Sequence, residues 1–182
     1  IKDVKTMIYA FFELHERLPQ VRLHIMGGVD DEEYGAECHA LVETLGVRDL
    51  IFTGRVNVIE YMEMLDFTIL TSISEGQPLS VLESLGARRP CVTTEVGCCR
   101  ELLEGAPGDD FGVAGFVTPP MYRKGLADAM ERMCASRARR IEMGERGQRR
   151  VATYFLHEQM LANYRALYDE TARAFDLPQK EV

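Results

Sequence analysis

Hydrophobic positions along the chain follow two patterns, one with helical spacing and one made of short apolar-rich runs bounded by glycine or proline. Helical spacing predicts an amphipathic helix over residues 3–18, which Pro19 ends. Residues 21–26 form a short apolar-rich run closed by Gly27 and Gly28, and this pattern predicts a strand. The two patterns alternate through most of the chain.

Further elements are predicted from the same patterns. Strands are predicted at residues 50–53, 67–71, 90–93 and 115–117. Helices are predicted at residues 30–45, 58–65, 79–85, 99–103, 126–134, 141–155 and 156–175. Strands that alternate with helices are typical of βαβ units. We therefore predict an α/β fold, a Rossmann-like doubly wound parallel sheet with a helical C-terminal extension.

The loops that follow the predicted strands are candidate ligand-binding segments. In doubly wound folds, ligands bind outside the carboxyl ends of the strands. We expect four such loops to open on one edge of the sheet, at residues 27–28, 54–56, 72–79 and 95–100.

Composition narrows the class of protein. The chain has 182 residues, of which 46% are hydrophobic and 27% charged, as in a globular domain with a core of its own. No apolar run approaches the roughly 20 residues that span a bilayer. The net charge of −8 argues against nucleic acid as a partner, since nucleic acid requires a basic surface.

Cysteine and histidine spacing predicts no metal site. The five cysteines lack C-x2-C spacing, and no two of the four histidines have the spacing of metal ligands. Reduced cysteines in the core favour a cytoplasmic protein.

Residues 72–85 carry the most informative local pattern. They read S-I-S-E-G-Q-P-L-S-V-L-E-S-L and join a predicted strand to a predicted helix through a polar Gly-Pro turn. Such a turn places backbone N–H groups at a helix N-terminus, where an anion can bind. Glu75 and Glu83 flank the turn, and carboxylates accept hydrogen bonds from sugar hydroxyls. The alternative is a solvated helix start whose glutamates only complement the helix dipole.

The segment E-G-Q-P-L-S-V-L-E resembles the E-x7-E element of retaining GT-B glycosyltransferases of family 4. With E-V-G-C-C-R-E-L farther on, the wider segment resembles the PelF-like subgroup, which builds bacterial exopolysaccharide. The resemblance covers nearly the whole chain. It implies the C-terminal, donor-binding domain of a two-domain enzyme, lacking the first strand of that domain.

The resemblance implies roles for particular residues. Glu75 would hold the transferred sugar, and Lys2 would bind the donor diphosphate, although Lys2 could equally be a frayed terminal lysine. Glu83 would accept hydrogen bonds from the ribose. The remaining donor contacts would come from Gly76, Gln77, Leu79, Ser80, Arg55 and Val56. Arg55 and Val56 would hold the base, unless their loop is an ordinary strand end.

The implied reaction is sugar transfer from a UDP-sugar, with UDP-glucose as the particular expectation, and with retention at the anomeric carbon. No cofactor or metal is expected, and the chain has no D-x-D triplet. Implied partners are an N-terminal acceptor domain and a membrane polysaccharide-synthesis complex. These residues alone should not transfer sugar. The alternative function is a non-catalytic nucleotide-binding module.

Three regions follow from this interpretation. Residues 1–155 would bind the donor, residues 156–175 would cross to the acceptor domain, and residues 176–182 would form a tail. Without a first strand, residues 21–26 and 67–71 should flank a vacancy or close up against one another. Arg100 and Glu101 should either pair with each other or line the mouth of the site.

Overall fold

A computed structural model describes residues 1–175 of the chain. Its strands are β1 (Leu23–Met26), β2 (Leu50–Gly54), β3 (Thr68–Leu70), β4 (Cys91–Thr94) and β5 (Gly115–Thr118). Its helices are α1 (Val4–Arg17), α2 (Glu32–Leu45), α3 (Val58–Met62), α4 (Leu79–Gly86), α5 (Cys99–Glu104), α6 (Arg123–Cys134), α7 (Arg137–Tyr154) and α8 (His157–Ala174). The predicted alternation of strands and helices is confirmed.

Helix α7 begins four positions before its predicted start at residue 141. Ser136 caps it, because the Ser136 side chain accepts a hydrogen bond from the backbone N–H of Arg139 at 3.3 Å. The first turn of α7 is rich in arginine and carries no apolar stripe, so hydrophobic spacing did not reveal it.

The strands form two parallel sheets rather than one. β1 pairs with β2, and β3, β4 and β5 pair in that order. Parallel pairing brings the carboxyl ends of paired strands to the same edge, and the loops that follow them open there. Among the described residues no backbone hydrogen bond joins β1 to β3.

A cleft of about 620 Å³ separates β1 from β3. Residues 20–26 and 67–69 line its two sides, and side chains of α1 and α6 close one face. Of the two arrangements expected for these strands, the structure therefore has the vacancy.

The hydrophobic core of the described residues has two parts, a larger one that includes α1 and α6 and a smaller one that includes α4 and α5. Phe11 and Leu14 of α1 pack with Met130 and Met133 of α6 in the larger part. The smaller part joins α4 and α5 to β4 through the buried side chains Val81, Leu85, Leu102, Leu103 and Cys91. Full burial of each such aliphatic side chain contributes about 1.5–3 kcal/mol. The smaller part thereby fixes α4 on the sheet.

Arg150 of α7 is buried in the smaller core, with 1% of its surface exposed. Its guanidinium pairs with Asp109 and also donates to the carbonyl oxygens of Leu102, Leu103 and Gly112. The Arg150 hydrogen bond lowers the pKa of Asp109. These bonds tie α7 to the segment that follows α5.

Helix α8 has no buried residue. Its apolar side chains Met160, Leu161, Tyr164, Leu167 and Tyr168 are all exposed. The predicted tail, residues 176–182, lies outside the described residues.

Candidate donor site

The candidate site lies where β3 and β4 end. Thr71 and Ser72 continue β3 and are both buried, and the chain then turns through Glu75 and Gly76 to reach α4. This is the strand–turn–helix unit predicted from the sequence, and it opens at the carboxyl edge of the three-stranded sheet.

Lys2 and Glu75 form an ion pair in this site. The Nζ atom of Lys2 lies 2.6 Å from Oε1 of Glu75, and the Ser72 hydroxyl donates to the same oxygen at 2.7 Å. These two hydrogen bonds, with Lys2 the stronger influence, lower the pKa of the Glu75 carboxyl. Glu75 is therefore ionised at neutral pH.

The second carboxylate oxygen of Glu75 is left without a donor. No described residue makes a hydrogen bond to Oε2, and the Glu75 side chain is 16% exposed. A carboxylate oxygen with this exposure can accept a hydrogen bond from a ligand hydroxyl. Lys2 is 64% exposed, so its ammonium can also turn toward a ligand.

The N-terminus of α4 offers uncapped backbone donors. Pro78 occupies the N-cap position and makes no side-chain cap, so the N–H groups of Leu79 and Ser80 have no capping acceptor in the described chain. Gln77, Leu79 and Ser80 are all exposed. The helix dipole adds a partial positive charge at this end.

Glu83 lies on the second turn of α4 and is exposed. Within residues 1–175 it forms no ion pair or side-chain hydrogen bond. Its carboxylate is thus available to a ligand, although no contact joins it to Glu75.

The turn after β4 supports the Glu75 loop by backbone contact. The N–H of Cys98 donates to the carbonyl oxygen of Gly76 at 3.0 Å. A β-carbon on Gly97 would lie 2.1 Å from that oxygen, and Gly97 has a φ of +50°. Only glycine fits here without a shift. The sequence predicted that this turn lies at the edge of the site, but it did not predict the contact with Gly76. The glycine in E-V-G-C-C was the one available signal of that contact.

Arg55 and Val56 follow β2, in the other sheet. The Arg55 side chain lies against Gly28, because a β-carbon there would come within 3.1 Å of Arg55 Nε. The loops after β1 and β2 are thus adjacent, as expected. No hydrogen bond brings Arg55 or Val56 to the Glu75 loop in the described part of the chain.

Arg100 does not pair with Glu101, so of the two alternatives only a place at the mouth of the site stays a prediction. The Arg100 guanidinium instead binds Glu95 at 2.8 Å and Glu104 at 2.7 Å. Adjacent side chains on a helix point in different directions, whereas side chains four apart share a face.

Arg89 lies beyond the C-terminus of α4. Its guanidinium donates to the carbonyl oxygens of Met62 and Glu63, at the end of α3. Arg88 hydrogen-bonds to Gln148 of α7. Neither side chain touches the candidate site residues.

The described residues hold no group of three or more histidine, cysteine, aspartate or glutamate side chains placed to bind a metal ion. His24 hydrogen-bonds to the hydroxyl of Tyr61 at 2.6 Å, in a structural contact. No helix in residues 1–175 has the length and apolar character needed to cross a membrane.

A family model described as "Glycosyl transferases group 1" matches residues 1–136. The chain is 26% identical over 175 residues to the N-acetyl-alpha-D-glucosaminyl L-malate synthase of Bacillus anthracis. That match covers 95% of the chain but 43% of the length of the Bacillus enzyme. The chain thus spans less than half of this relative.

Solved structures show the same fold. Anabaena Alr3699/HepE in complex with UDP and glucose superimposes with a TM-score of 0.78 at 22% identity, covering 91% of this chain and 45% of that one. The C-terminal domain of the glycosyl transferase group 1 protein LpcC from Francisella tularensis gives 0.73 at 20% identity, covering 86% of this chain and 80% of that one. The predicted Rossmann-like α/β domain of the GT-B type is confirmed.

Proposed function

We propose that this chain, which belongs to the glycosyl transferases group 1 family, is the donor-binding domain of a GT-B glycosyltransferase that takes a sugar from a UDP-sugar. The observation that carries the proposal is the pairing of Lys2 with Glu75 beside the uncapped N-terminus of α4. A cation, free backbone donors and a carboxylate with one open oxygen together match a sugar diphosphate.

Lys2 and the first turn of α4 would bind the diphosphate. As the bond between the anomeric carbon and the diphosphate oxygen breaks, its electron pair stays on that oxygen and negative charge grows there. Lys2, the N–H groups of Leu79 and Ser80, and the helix dipole would stabilise this charge. No metal ion is needed in this scheme, which is part of the proposal.

Glu75 would hold the transferred sugar through Oε2, while Oε1 stays bonded to Ser72. Gly76 and Gln77 would border the sugar, because they are exposed in the same turn. The Lys2–Glu75 pair must open when the diphosphate takes Lys2. Donor binding therefore exchanges one partner of Glu75 for another.

Glu83 would accept hydrogen bonds from the ribose hydroxyls, and the backbone at Arg55 and Val56 would hold the base. Glu83 is exposed and unpaired within the described residues. The Anabaena neighbour was solved with UDP and glucose, which supports UDP as the nucleotide here. UDP-glucose, retention at the anomeric carbon and the PelF-like subgroup are finer parts of the proposal, supported by the resemblance of residues 72–85.

The acceptor would bind to a second domain outside these residues, since the chain spans 43% of the length of its Bacillus relative. The exposed apolar stripe of α8 would cross to that domain, so residues 1–182 alone would not transfer sugar. The whole enzyme would act in the cytoplasm, where the five free cysteines stay reduced. Its partner there would be a membrane polysaccharide-synthesis complex.

Titration calorimetry with UDP, UDP-glucose and GDP tests this function. We expect UDP and UDP-glucose to bind and GDP to give no heat. Glu83→Ala should abolish the binding of both, and Glu75→Ala should weaken UDP-glucose but not UDP. Glu43→Ala, which removes an exposed glutamate of α2, should change neither affinity. A correctly folded chain that binds none of the three nucleotides would contradict the proposal.

A further inference from the structure

Two buried hydroxyl groups stand directly behind the ion pair of the site. Thr71 is 1% exposed and Ser72 is 0% exposed. Both lie at the end of β3, and each donates a hydrogen bond to one partner of the Lys2–Glu75 pair.

We propose that Thr71 and Ser72 are positioning residues of the donor site, Thr71 for Lys2 and Ser72 for Glu75. This inference rests on the function proposed above and assigns two residues that the E-x7-E resemblance does not include. Their separate bonds divide the site into a part that serves the diphosphate and a part that serves the sugar.

Thr71 acts through the backbone of Lys2. Its hydroxyl donates to the Lys2 carbonyl oxygen at 2.8 Å, and the N–H of Ile73 donates to the Ile1 carbonyl oxygen at 2.9 Å. Residues 1 and 2 are therefore fixed beside the end of β3. The Lys2 side chain is 64% exposed, but the backbone that carries it is held in place. The position from which the ammonium extends into the mouth of the site is therefore fixed.

Ser72 acts directly on the Glu75 carboxylate. Its hydroxyl donates to Glu75 Oε1 at 2.7 Å, and its own carbonyl oxygen accepts the Thr94 hydroxyl at 2.5 Å. Ser72 is thus fixed to β4 while it holds Glu75. When Lys2 leaves for the diphosphate, Ser72 remains as the donor that keeps Oε2 directed toward the sugar.

The two bonds should have separable effects on binding. UDP and UDP-glucose share the diphosphate, but only UDP-glucose offers sugar hydroxyls to Glu75. Loss of the Thr71 bond should weaken both ligands alike. Loss of the Ser72 bond should weaken UDP-glucose alone.

Calorimetric titration of wild-type, Thr71→Val and Ser72→Ala chains with both ligands tests this. We expect Ser72→Ala to weaken UDP-glucose roughly fivefold to tenfold and to leave UDP within about twofold, as for loss of one hydrogen bond to a charged group acting indirectly. Thr71→Val should weaken both ligands by one common factor, roughly threefold to tenfold.

Two control variants separate positioning from burial. Thr93→Val changes an equally buried threonine of β4 whose hydroxyl has no hydrogen-bond partner within residues 1–175. Ser84→Ala removes an equally buried serine hydroxyl that donates to the Arg89 carbonyl, away from the site. Neither control should change the affinity for UDP or for UDP-glucose. Circular dichroism confirms that each variant is folded.

A second measurement needs no ligand. The pKa of the Glu75 carboxyl, followed by carboxyl-carbon NMR and assigned with Glu75→Gln, should rise toward its ordinary value in Ser72→Ala, because Ser72 lowers it in the folded protein. Ser84→Ala should leave it unchanged.

The inference is overturned if Ser72→Ala weakens both ligands equally or neither, or if Thr93→Val reproduces Thr71→Val. A wild-type chain that binds neither nucleotide contradicts the proposed function, and with it any role in donor binding. In that case the NMR titration still decides whether Ser72 holds the Glu75 carboxylate.

Discussion

Lys2 and Glu75 are 73 positions apart in the chain, yet Lys2 Nζ lies 2.6 Å from Glu75 Oε1. The end of β3 brings them together, because Thr71 binds the backbone of Lys2 and Ser72 binds the carboxylate of Glu75. The site therefore holds its cation and its anion against each other, and in the proposed function a ligand that carries both a diphosphate and hydroxyl groups would separate them.

The Lys2–Glu75 pair should make stability depend on pH. Because the folded protein lowers the pKa of Glu75, the stabilisation is complete above the ordinary carboxyl pKa and is lost as pH falls through the lowered value. Lys2→Met should reduce the free energy of unfolding by at most about 1 kcal/mol at pH 7, since Lys2 is largely exposed.

Urea unfolding of Lys2→Met and wild type at pH 7 and near pH 2 measures this difference, which should disappear at the lower pH. Lys2→Arg keeps the charge and serves as the control. An equal loss of stability at both pH values would show that the effect is not electrostatic.

Gly97→Ala should disrupt the proposed donor site. The new β-carbon would meet the Gly76 carbonyl oxygen at 2.1 Å, at a backbone φ of +50°, so the Glu75 loop must move. We expect at least a tenfold loss in UDP-glucose affinity and about 1–3 kcal/mol less stability.

Gly86→Ala is the matched control for Gly97→Ala. A β-carbon on Gly86, at the end of α4, meets no atom within 4 Å. This variant should bind nucleotide normally and be as stable as wild type or slightly more so. Wild-type affinity in Gly97→Ala would mean that the Gly76 contact does not shape the site.

Arg150→Met should destabilise the protein more than any change at the site. It leaves the Asp109 carboxylate, which is 4% exposed, without its cation and removes the Arg150 hydrogen bonds to the carbonyl oxygens of Leu102 and Leu103. Breaking a buried ion pair from one side costs about 3–5 kcal/mol. Chemical denaturation measures the loss.

Arg149→Met, one position earlier, tests whether burial is the cause. Arg149 is exposed and makes no ion pair within residues 1–175, so its loss should change stability by less than about 0.5 kcal/mol. Similar losses in the two variants would contradict the structural role of the Arg150 pair.

Cys91 should react with alkylating reagents far more slowly than Cys98. Burial raises the pKa of the Cys91 thiol to about 11, so almost none is thiolate at pH 8, whereas Cys98 is only partly buried. Timed alkylation with peptide mass spectrometry compares the two rates. In urea the rates should converge, and a native Cys91 that reacts as fast as Cys98 would show that β4 opens readily.

Local pattern was sufficient to predict most elements and the Glu75 turn. The spacing of apolar residues located α1, and the short apolar-rich run at residues 21–26 located β1. The Glu75 turn could be predicted because the strand, the Gly-Pro turn and the helix are neighbours in the sequence.

The rest depended on contacts between distant segments. In the sequence alone, Ser72 cannot be distinguished from any other small polar residue. Its role depends on its hydrogen bonds with Glu75 and Thr94, which only the structure shows. Arg150 lies in an arginine-rich helix, where exposure is the usual expectation, and its burial follows from Asp109 in another segment. Local periodicity carries no information on such pairs.

The break between β1 and β3 has a consequence for how the protein opens. With no backbone hydrogen bond joining β1 to β3 in the described chain, the two sheets lack the continuous ladder that makes a domain unfold as one unit. Amide hydrogens of β1 and β2 should exchange with solvent sooner than those of β4, the central strand of its sheet. On warming, the loop carrying Arg55 would then lose its order while Ser72 still holds Glu75, so the proposed contact with the base would be lost before the proposed contact with the sugar.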